Sequence, residues 1–185
     1  MLHVIAGCMF SGKSEELLRR AKRGLIAEKK LGIFKPAIDT RTTGTVASRN
    51  GQVLEAVVCQ SSADIWAMYL QEGFEEAYID EAQFFDDGII DVVEKLVADG
   101  VTVHVAGLDL DFASRPFGPM AHLLAVADDV LKLHAICKVC KRNPATRTQR
   151  LINGKPAGQD SPTILVGDAT EGYEPRCHKC YVRPS

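Results

Sequence analysis

Aromatic residues, charge of one dominant sign and long apolar runs are all scarce in this chain of 185 residues. Only 6% of the residues are aromatic, and 22 basic residues nearly balance 24 acidic ones, which leaves a net charge of −2. No run approaches the roughly 18 apolar residues of a membrane-spanning helix. A chain this close to neutral is also unlike proteins that bind nucleic acid through a positive surface. We therefore expect neither a membrane nor a nucleic acid as a partner.

Cysteine is present, but in a pattern that argues against a disulfide framework. The first residues, MLHVIAG, lack the basic region and long apolar core of a secretory signal, so we expect a cytoplasmic location. In a reducing cytosol, two C-x-x-C pairs indicate a metal site, with a redox dithiol as the alternative. Four thiolates would close a structural zinc site. The two pairs are Cys137 with Cys140 and Cys177 with Cys180.

Apolar runs alternate with amphipathic stretches along residues 1–136, which predicts an α/β fold with a parallel sheet covered by helices on both faces. The expected strands cover 2–6, 31–34, 53–59, 77–79, 101–106 and 130–136, and the expected helices cover 13–30, 62–71, 87–98 and 120–127. Residues 36–52 are expected to form a loop. After residue 136, the sequence pattern predicts a β-hairpin between the cysteine pairs, with strands at 146–152 and 163–166. We therefore expect an α/β domain at 1–136 and a small zinc-binding subdomain at 137–185.

A phosphate-binding motif follows the first predicted strand. The segment fits G-x-x-x-x-G-K-[ST] at every fixed position, and a helix is expected directly after it. Backbone N–H groups and the helix N-terminus would hold the phosphates, Lys13 would reach the β- and γ-phosphates, and Ser14 would bind Mg²⁺. A chance match on a glycine-rich turn is the alternative. The motif residues are Gly7, Cys8, Met9, Phe10, Ser11, Gly12, Lys13 and Ser14.

Acidic and aromatic residues follow other predicted strands. Asp80 is expected to hold Mg²⁺, and Glu81 could accept a proton from an attacking hydroxyl or, in an ATPase, from water. Asp109 and Asp111 could reach a metal or a substrate, or could cap turns. Four phenylalanines lie in the two loops after strand ends, which predicts a stacking pocket for a flat ligand, with a place in the core as the alternative. They are Phe84, Phe85, Phe112 and Phe117.

Together these motifs resemble the cytosolic, zinc-containing type of thymidine kinase over essentially the whole chain. The similar segments are GCMFSGKS at 7–14, DEAQFF at 80–85, GLDLDF at 107–112 with PFG at 116–118, the four paired cysteines and Tyr173. That family's phosphate loop usually has proline where Cys8 stands. The resemblance implies a P-loop (RecA-like) fold with a zinc-held lasso at 157–176. It also places Asp39 and Arg41 near the phosphates.

The resemblance further implies an activity and a set of binding residues. The γ-phosphoryl group of ATP would pass to the 5′-hydroxyl of thymidine in nucleotide salvage and DNA precursor synthesis, with Glu81 as the general base and deoxyuridine left open as a second substrate. Ala82 and Gln83 would join the phosphate loop, Asp80 and Glu81 in the ATP site. A homotetramer inhibited by thymidine triphosphate is implied as well. The implied nucleoside contacts are Met9, Phe84, Leu108, Phe112, Phe117, Ile164, Leu165, Val166, Gly167 and Tyr173.

Two other classes of protein share part of this pattern. A nucleic-acid motor of the recombinase type would use Glu81 to activate water and would hydrolyse ATP in response to polynucleotide. A zinc-dependent binding module with a regulatory nucleotide site would bind nucleotide without turnover. A nucleic-acid patch near the zinc could be formed by Lys141, Arg142, Arg147 and Arg150, but a solvated hairpin face is the explanation we favour for them.

Overall fold

The computed structural model describes residues 1–40, 44–47, 51–164 and 172–184. Its centre is a sheet of six parallel strands, which stand in the order β5-β2-β6-β7-β1-β8. The strands are β1 (Leu2–Gly7), β2 (Leu31–Pro36), β5 (Val57–Cys59), β6 (Glu76–Ile79), β7 (Thr102–Gly107) and β8 (Asp129–Leu133). This architecture, together with the cysteine cluster described below, confirms the predicted α/β fold class.

Four helices connect the strands, and their ends follow local sequence signals. The helices are α1 (Lys13–Ile26), α2 (Ser62–Glu72), α3 (Gly88–Ala98) and α4 (Met120–Val126). Ser61 caps α2 in a capping box with Asp64, and Gly73 ends that helix in the left-handed conformation that glycine adopts at little cost. Among the described residues, no helix is long and apolar enough to cross a bilayer.

The two faces of the sheet are covered by different helices because successive side chains of a strand point to opposite faces. On β1, Val4 packs in the larger cluster with Ile89 and Leu96 of α3, whereas Ile5 packs in a smaller cluster with Leu17 and Ala21 of α1. Helices α2, α3 and α4 thus cover one face, and α1 covers the other. The near-continuous apolar character of the strands reflects this burial from both sides.

Residues after the sheet form small antiparallel units. Strand β9 (Ala135–Ile136) pairs with β10 (Pro144–Ala145), and β11 (Arg147–Ile152) lies between β12 (Lys155–Pro156) and β13 (Tyr173–Arg176). A further hairpin joins β3 (Thr45–Ala47) to β4 (Val53–Glu55) beside the sheet.

Several predicted elements differ from the structure in extent or pairing. The prediction that 163–166 forms the second strand of the hairpin was wrong for 163–164, the part that the structure describes. Strand β11 pairs with β12 and β13 instead. The expected loop at 36–52 contains β3, the expected strand at 53–59 is divided into β4 and β5, and the expected strand at 130–136 is divided into β8 and β9. Helix α1 ends at Ile26 rather than residue 30. The pairing of β11 with β13 joins residues distant in sequence, whereas α1 ends just before Glu28 takes a left-handed φ of 58°.

Candidate active site and metal centre

The phosphate-loop motif connects the end of β1 to the start of α1, as the sequence predicts. Gly7 has φ +148°, and a Cβ atom there would lie 2.3 Å from the Leu133 carbonyl oxygen of the neighbouring strand. Gly12 has φ +88° and immediately precedes α1, and Phe10 between them also has a positive φ of 69°. Two of the motif's fixed positions therefore require glycine for conformation, and the first also for space.

Lys13 lies inside this loop and is only 8% exposed. Its Nζ donates a hydrogen bond to the Cys8 carbonyl oxygen at 3.0 Å. Burial lowers the pKa of Lys13, while the nearby carboxylates of Glu81 and Asp80 act in the opposite direction. A phosphate in the loop would offer this buried amine a charged acceptor in place of a neutral carbonyl, which is a stronger hydrogen bond.

Ser14 and Asp80, the two residues expected to bind Mg²⁺, lie together. The Ser14 hydroxyl donates to Asp80 Oδ1 at 3.2 Å, and the same carboxylate oxygen accepts the Glu81 backbone N–H at 3.0 Å. Asp80 is 6% exposed and directly follows β6. A hydroxyl and a carboxylate side by side are oxygen ligands of the kind that Mg²⁺ prefers, so this pair fits the ion.

Glu81 occupies a constrained position next to this pair. Its φ is +50°, a left-handed conformation that costs a residue with a side chain about 1 to 3 kcal/mol and that occurs often at functional sites. The Gln83 side-chain amide donates to Glu81 Oε2, while Gln83 Oε1 accepts the Leu108 backbone N–H at 2.9 Å. Gln83 is 3% exposed and so fixes the carboxylate of Glu81 against the end of β7. Ala82, which is also buried, follows Glu81 and begins the 3₁₀ turn Ala82–Phe84.

The aspartates after β7 have separate roles. Asp111 Oδ1 accepts backbone N–H groups of Ala113 and Arg115, both at 2.8 Å, so this side chain caps a turn. Asp109 is 5% exposed and pairs with Lys132 of β8 at 2.8 Å between Oδ2 and Nζ. Of the two, Asp109 is the one whose charge acts on Lys13 of the phosphate loop.

The structure describes only part of the element Asp39–Arg41 that was expected near the phosphates. Asp39 forms an ion pair with Lys35, with 3.0 Å between Lys35 Nζ and Asp39 Oδ2 and with Lys35 only 1% exposed. Arg41 lies outside the described residues. The acidic half of this element is thus attached to the end of β2 by a buried cation.

The four phenylalanines of the predicted stacking pocket do not form one group. Phe84 and Phe117 meet edge to face with ring centroids 5.5 Å apart. Phe112 lies under the Arg150 guanidinium at 5.5 Å, and Tyr173 lies near the same group at 6.0 Å. Phe85 instead packs in the large core cluster, so its inclusion in a four-ring stacking pocket was wrong.

Other residues expected to contact the nucleoside are only partly described. Leu108, 9% exposed, directly follows β7, while Met9 lies in the phosphate loop and Ile164 is 39% exposed. Burial raises the pKa of Tyr173, whose phenol therefore stays neutral. Leu165, Val166 and Gly167 lie outside the described residues.

Two residues of β11 join the phosphate loop and the aromatic rings, and the sequence analysis assigned neither to the site. Thr148 Oγ1 accepts the Met9 backbone N–H at 3.0 Å, and Arg150 lies between Phe112 and Tyr173 while donating to the Pro162 carbonyl oxygen. At 3% exposure, Arg150 cannot belong to a surface nucleic-acid patch. The two residues are two positions apart in the sequence, so they lie on the same face of a strand. This spacing is the sequence signal that could have placed them together in the site.

The four paired cysteines form a cluster that could hold a metal ion. Their Sγ atoms all lie within 4.8 Å of one another, and those of Cys140 and Cys177 are 3.8 Å apart. Four sulfurs at about 2.3 Å from a tetrahedral zinc ion would lie about 3.8 Å apart, so the group fits structural zinc. Although burial acts in the other direction, backbone N–H groups of Cys140, Cys177 and Val139 lower the pKa of Cys137 to about 6. His178 is exposed and takes no part in this cluster.

A phosphate loop before a helix, with a metal-type carboxylate at the end of another strand of the same sheet, defines a P-loop nucleotide-binding protein. The model of the thymidine kinase family matches residues 1–181 of the chain. The chain therefore belongs to the thymidine kinase family and is a kinase, and phosphorylation of thymidine is the activity that the family supports.

Proposed function

We propose that this protein transfers the γ-phosphoryl group of ATP to the 5′-hydroxyl of thymidine, giving thymidine monophosphate and ADP. The observation that carries this proposal is the arrangement at the end of β6. There, Asp80 bonds to Ser14 of the phosphate loop while the next residue, Glu81, is held by Gln83. These two adjacent carboxylates support the proposal, since Asp80 would hold Mg²⁺ and Glu81 would act as the general base in phosphoryl transfer to an alcohol.

Each residue has one task in the proposed reaction. The phosphate loop and Lys13 would bind the triphosphate of ATP, and Ser14 with Asp80 would hold the Mg²⁺ that neutralises charge on the phosphates. Glu81 would accept the proton of the 5′-hydroxyl as that oxygen bonds to the γ-phosphorus. The bond from phosphorus to the bridging oxygen would break at the same time, and ADP would leave with the electron pair.

The nucleoside would lie between the aromatic rings and the C-terminal segment. We propose contacts to Met9, Phe84, Leu108, Phe112, Phe117 and Tyr173, with main-chain groups of 164–167 reading the thymine edge. Ala82 and Gln83 would complete the ATP site. The zinc-bearing segment at 137–185 is proposed as a separate unit from 1–136, and zinc as a structural ion. Salvage of thymidine in the cytoplasm, a homotetramer and inhibition by thymidine triphosphate are part of the same proposal.

The experiment measures ADP formation from ATP and Mg²⁺ with thymidine, with single-stranded DNA and with neither. We expect turnover with thymidine alone. Stimulation by DNA would instead support a motor, and nucleotide binding without turnover would support a regulatory module. Glu81→Gln should lower kcat about 10²- to 10⁴-fold with nucleotide binding retained. Glu94→Gln, at an exposed position on α3, is the matched control.

Substrate choice tests the nucleoside part of the proposal. In competition among the four deoxynucleosides, we expect thymidine to be used, deoxyuridine to be used less well and deoxycytidine to be rejected. Cytosine reverses a donor and an acceptor, so main-chain groups in the pocket would lose their partners. Equal kcat/KM for deoxycytidine and thymidine would contradict the assignment of thymidine but leave the kinase chemistry intact.

A further inference from the structure

The second and third residues of the phosphate loop are bonded to the segment that carries the metal cysteines. We infer that Cys8 and Thr148 are positioning residues through which the zinc-bearing segment holds the phosphate loop, so that zinc binding and nucleotide binding strengthen each other. This inference rests on the nucleotide binding proposed above. It concerns an effect of the metal on the loop, beyond the stability of the metal's own segment.

Cys8 packs directly among the metal ligands. Its side chain is 2% exposed and lies in one apolar cluster with Cys137, Cys177 and the alanines of β9 and β10. Its thiol donates to the Ala145 carbonyl oxygen of β10, with 3.2 Å between Sγ and oxygen. Phe10, another residue of the loop, packs against the same cluster.

The next loop residue is held by a second hydrogen bond. The Met9 backbone N–H donates to Thr148 Oγ1 at 3.0 Å, and Thr148 is 4% exposed. Thr148 pairs across the sheet with Pro175 of β13, the strand that leads directly into Cys177. The acceptors of these two hydrogen bonds, Ala145 and Thr148, therefore lie in the segment between the two cysteine pairs. A metal bound to those pairs would join the ends of that segment.

Cys8 is held from the nucleotide side as well, because Lys13 Nζ donates to its carbonyl oxygen. A shift of Cys8 would therefore move the partner of the amine that is proposed to reach the phosphates. Loosening the metal site would release the Cys8 thiol and the Met9 amide together. The loop would then have to be ordered when nucleotide binds, which weakens binding.

Linkage between two binding equilibria is reciprocal. The factor by which zinc strengthens nucleotide binding should therefore equal the factor by which nucleotide strengthens zinc binding. We expect removal of zinc from the wild-type protein to weaken Mg²⁺–ADP binding about threefold to tenfold, the scale of one or two neutral hydrogen bonds. Mg²⁺–ADP should raise the zinc affinity by the same factor, measured at equilibrium against a chelator of known affinity. The second measurement begins with the zinc-loaded protein, so it does not depend on a stable metal-free form.

Variants test the two residues. Cys8→Ala with Thr148→Val should weaken Mg²⁺–ADP binding in the zinc-loaded protein and abolish the effect of ADP on zinc affinity. Thr148→Ser, which keeps the hydroxyl, should preserve the linkage that Thr148→Val reduces, so the test stands even if the double variant does not fold. Cys59→Ala is the matched control, because Cys59 is a lone buried cysteine at the far edge of the sheet.

The outcomes separate this inference from the proposed function. Wild-type protein that binds ADP equally well with and without zinc, and zinc equally well with and without ADP, would overturn the inference and leave the proposed function standing. Linkage that persists in the double variant would overturn the role of Cys8 and Thr148. Wild-type protein that binds no ADP would contradict both.

Discussion

The sheet domain and the C-terminal segment are stabilised by different interactions. The large core cluster of the sheet contains phenylalanine, leucine, isoleucine and valine side chains from four strands and three helices. In the described part of 137–184, the buried apolar residues are two cysteines and two alanines, Cys137, Ala145, Ala157 and Cys177. Burial of apolar surface can hold the first region alone, whereas the second has too little of it and depends on its thiol cluster.

Polar side chains are also buried in the C-terminal segment. In β11, three consecutive buried residues are polar, namely Thr148, Gln149 and Arg150. Gln149 is bonded to Val182 in both directions, with its amide donating to the carbonyl oxygen and its own oxygen accepting the backbone N–H. Such bonds specify where the chain lies but contribute little net free energy each. The segment is therefore suited to lining a pocket rather than to folding independently.

The largest expected effect comes from removing the metal. Cys177→Ser should abolish zinc binding and remove most of the hydrogen-exchange protection of 137–184, while β1, β6 and β7 stay protected. Binding of structural zinc is worth about 10 to 16 kcal/mol in small zinc domains, far more than the burial of two alanines. His178→Ala, between two of the ligands, is the control and should keep one zinc per chain. Full zinc content in Cys177→Ser would contradict the four-cysteine ligand set.

A truncation in the core should have the next largest effect. Leu96→Ala removes a fully buried side chain of α3 and should lower the free energy of unfolding by about 2 to 5 kcal/mol. Val139→Ala, between the first pair of cysteines in the C-terminal segment, removes a side chain that is 53% exposed and should change the free energy of unfolding by less than about 0.5 kcal/mol. Denaturant titration of both variants measures the contrast. Equal losses would mean that apolar burial does not distinguish the regions.

A third prediction concerns pH and the sheet face under α1. Burial lowers the pKa of His104 to about 4, and the positive charges of His3 and Arg20 act in the same direction. Below about pH 6.5 the unfolded chain takes up this proton while the folded one does not, so stability should fall until about pH 4 and then level off. At pH 5 the loss should be about 1 to 2 kcal/mol.

His104→Phe isolates that contribution. A phenyl ring keeps the stacking between His3 and Tyr78, whose centroids each lie 4.7 Å from that of His104. The free energy of unfolding, measured at pH 7.5 and pH 5, should then fall less in the variant than in the wild type. An unchanged pH dependence would show that the proton is taken up elsewhere.

The smallest expected effect is at a contact between the two regions. The Tyr181 hydroxyl donates to the Phe112 carbonyl oxygen at 2.6 Å, which joins the C-terminal residues to the loop after β7. Tyr181→Phe should lower the free energy of unfolding by about 0.5 to 1.5 kcal/mol and raise the KM for thymidine more than the KM for ATP. Tyr69→Phe on α2 is the control for loss of a phenol. An equal rise in both KM values would argue against a specific link to the nucleoside pocket.

Much of the sheet and of the site could be predicted because its signals are local. The phosphate loop, the acidic strand end and the cysteine pairs are short motifs whose spacing alone gives them meaning. Phe85 and Asp111 show the limit, since a core ring and a turn cap have the same local sequence context as a pocket ring and a metal ligand. Only the position of each side chain relative to distant elements separates these roles.

Local sequence is enough to predict that β1, a phosphate loop and α1 follow one another, because glycine at 7 and 12 is a local conformational requirement. The four thiols available as metal ligands are likewise predicted from their spacing. Three other arrangements depend on the folded chain: β11 pairs with β13, Arg150 lies between Phe112 and Tyr173, and Cys8 packs among those thiols. Those arrangements join residues that lie more than 20, and in the case of Cys8 more than 100, positions apart in the sequence. They depend on which surfaces remain to be buried once the local elements have formed.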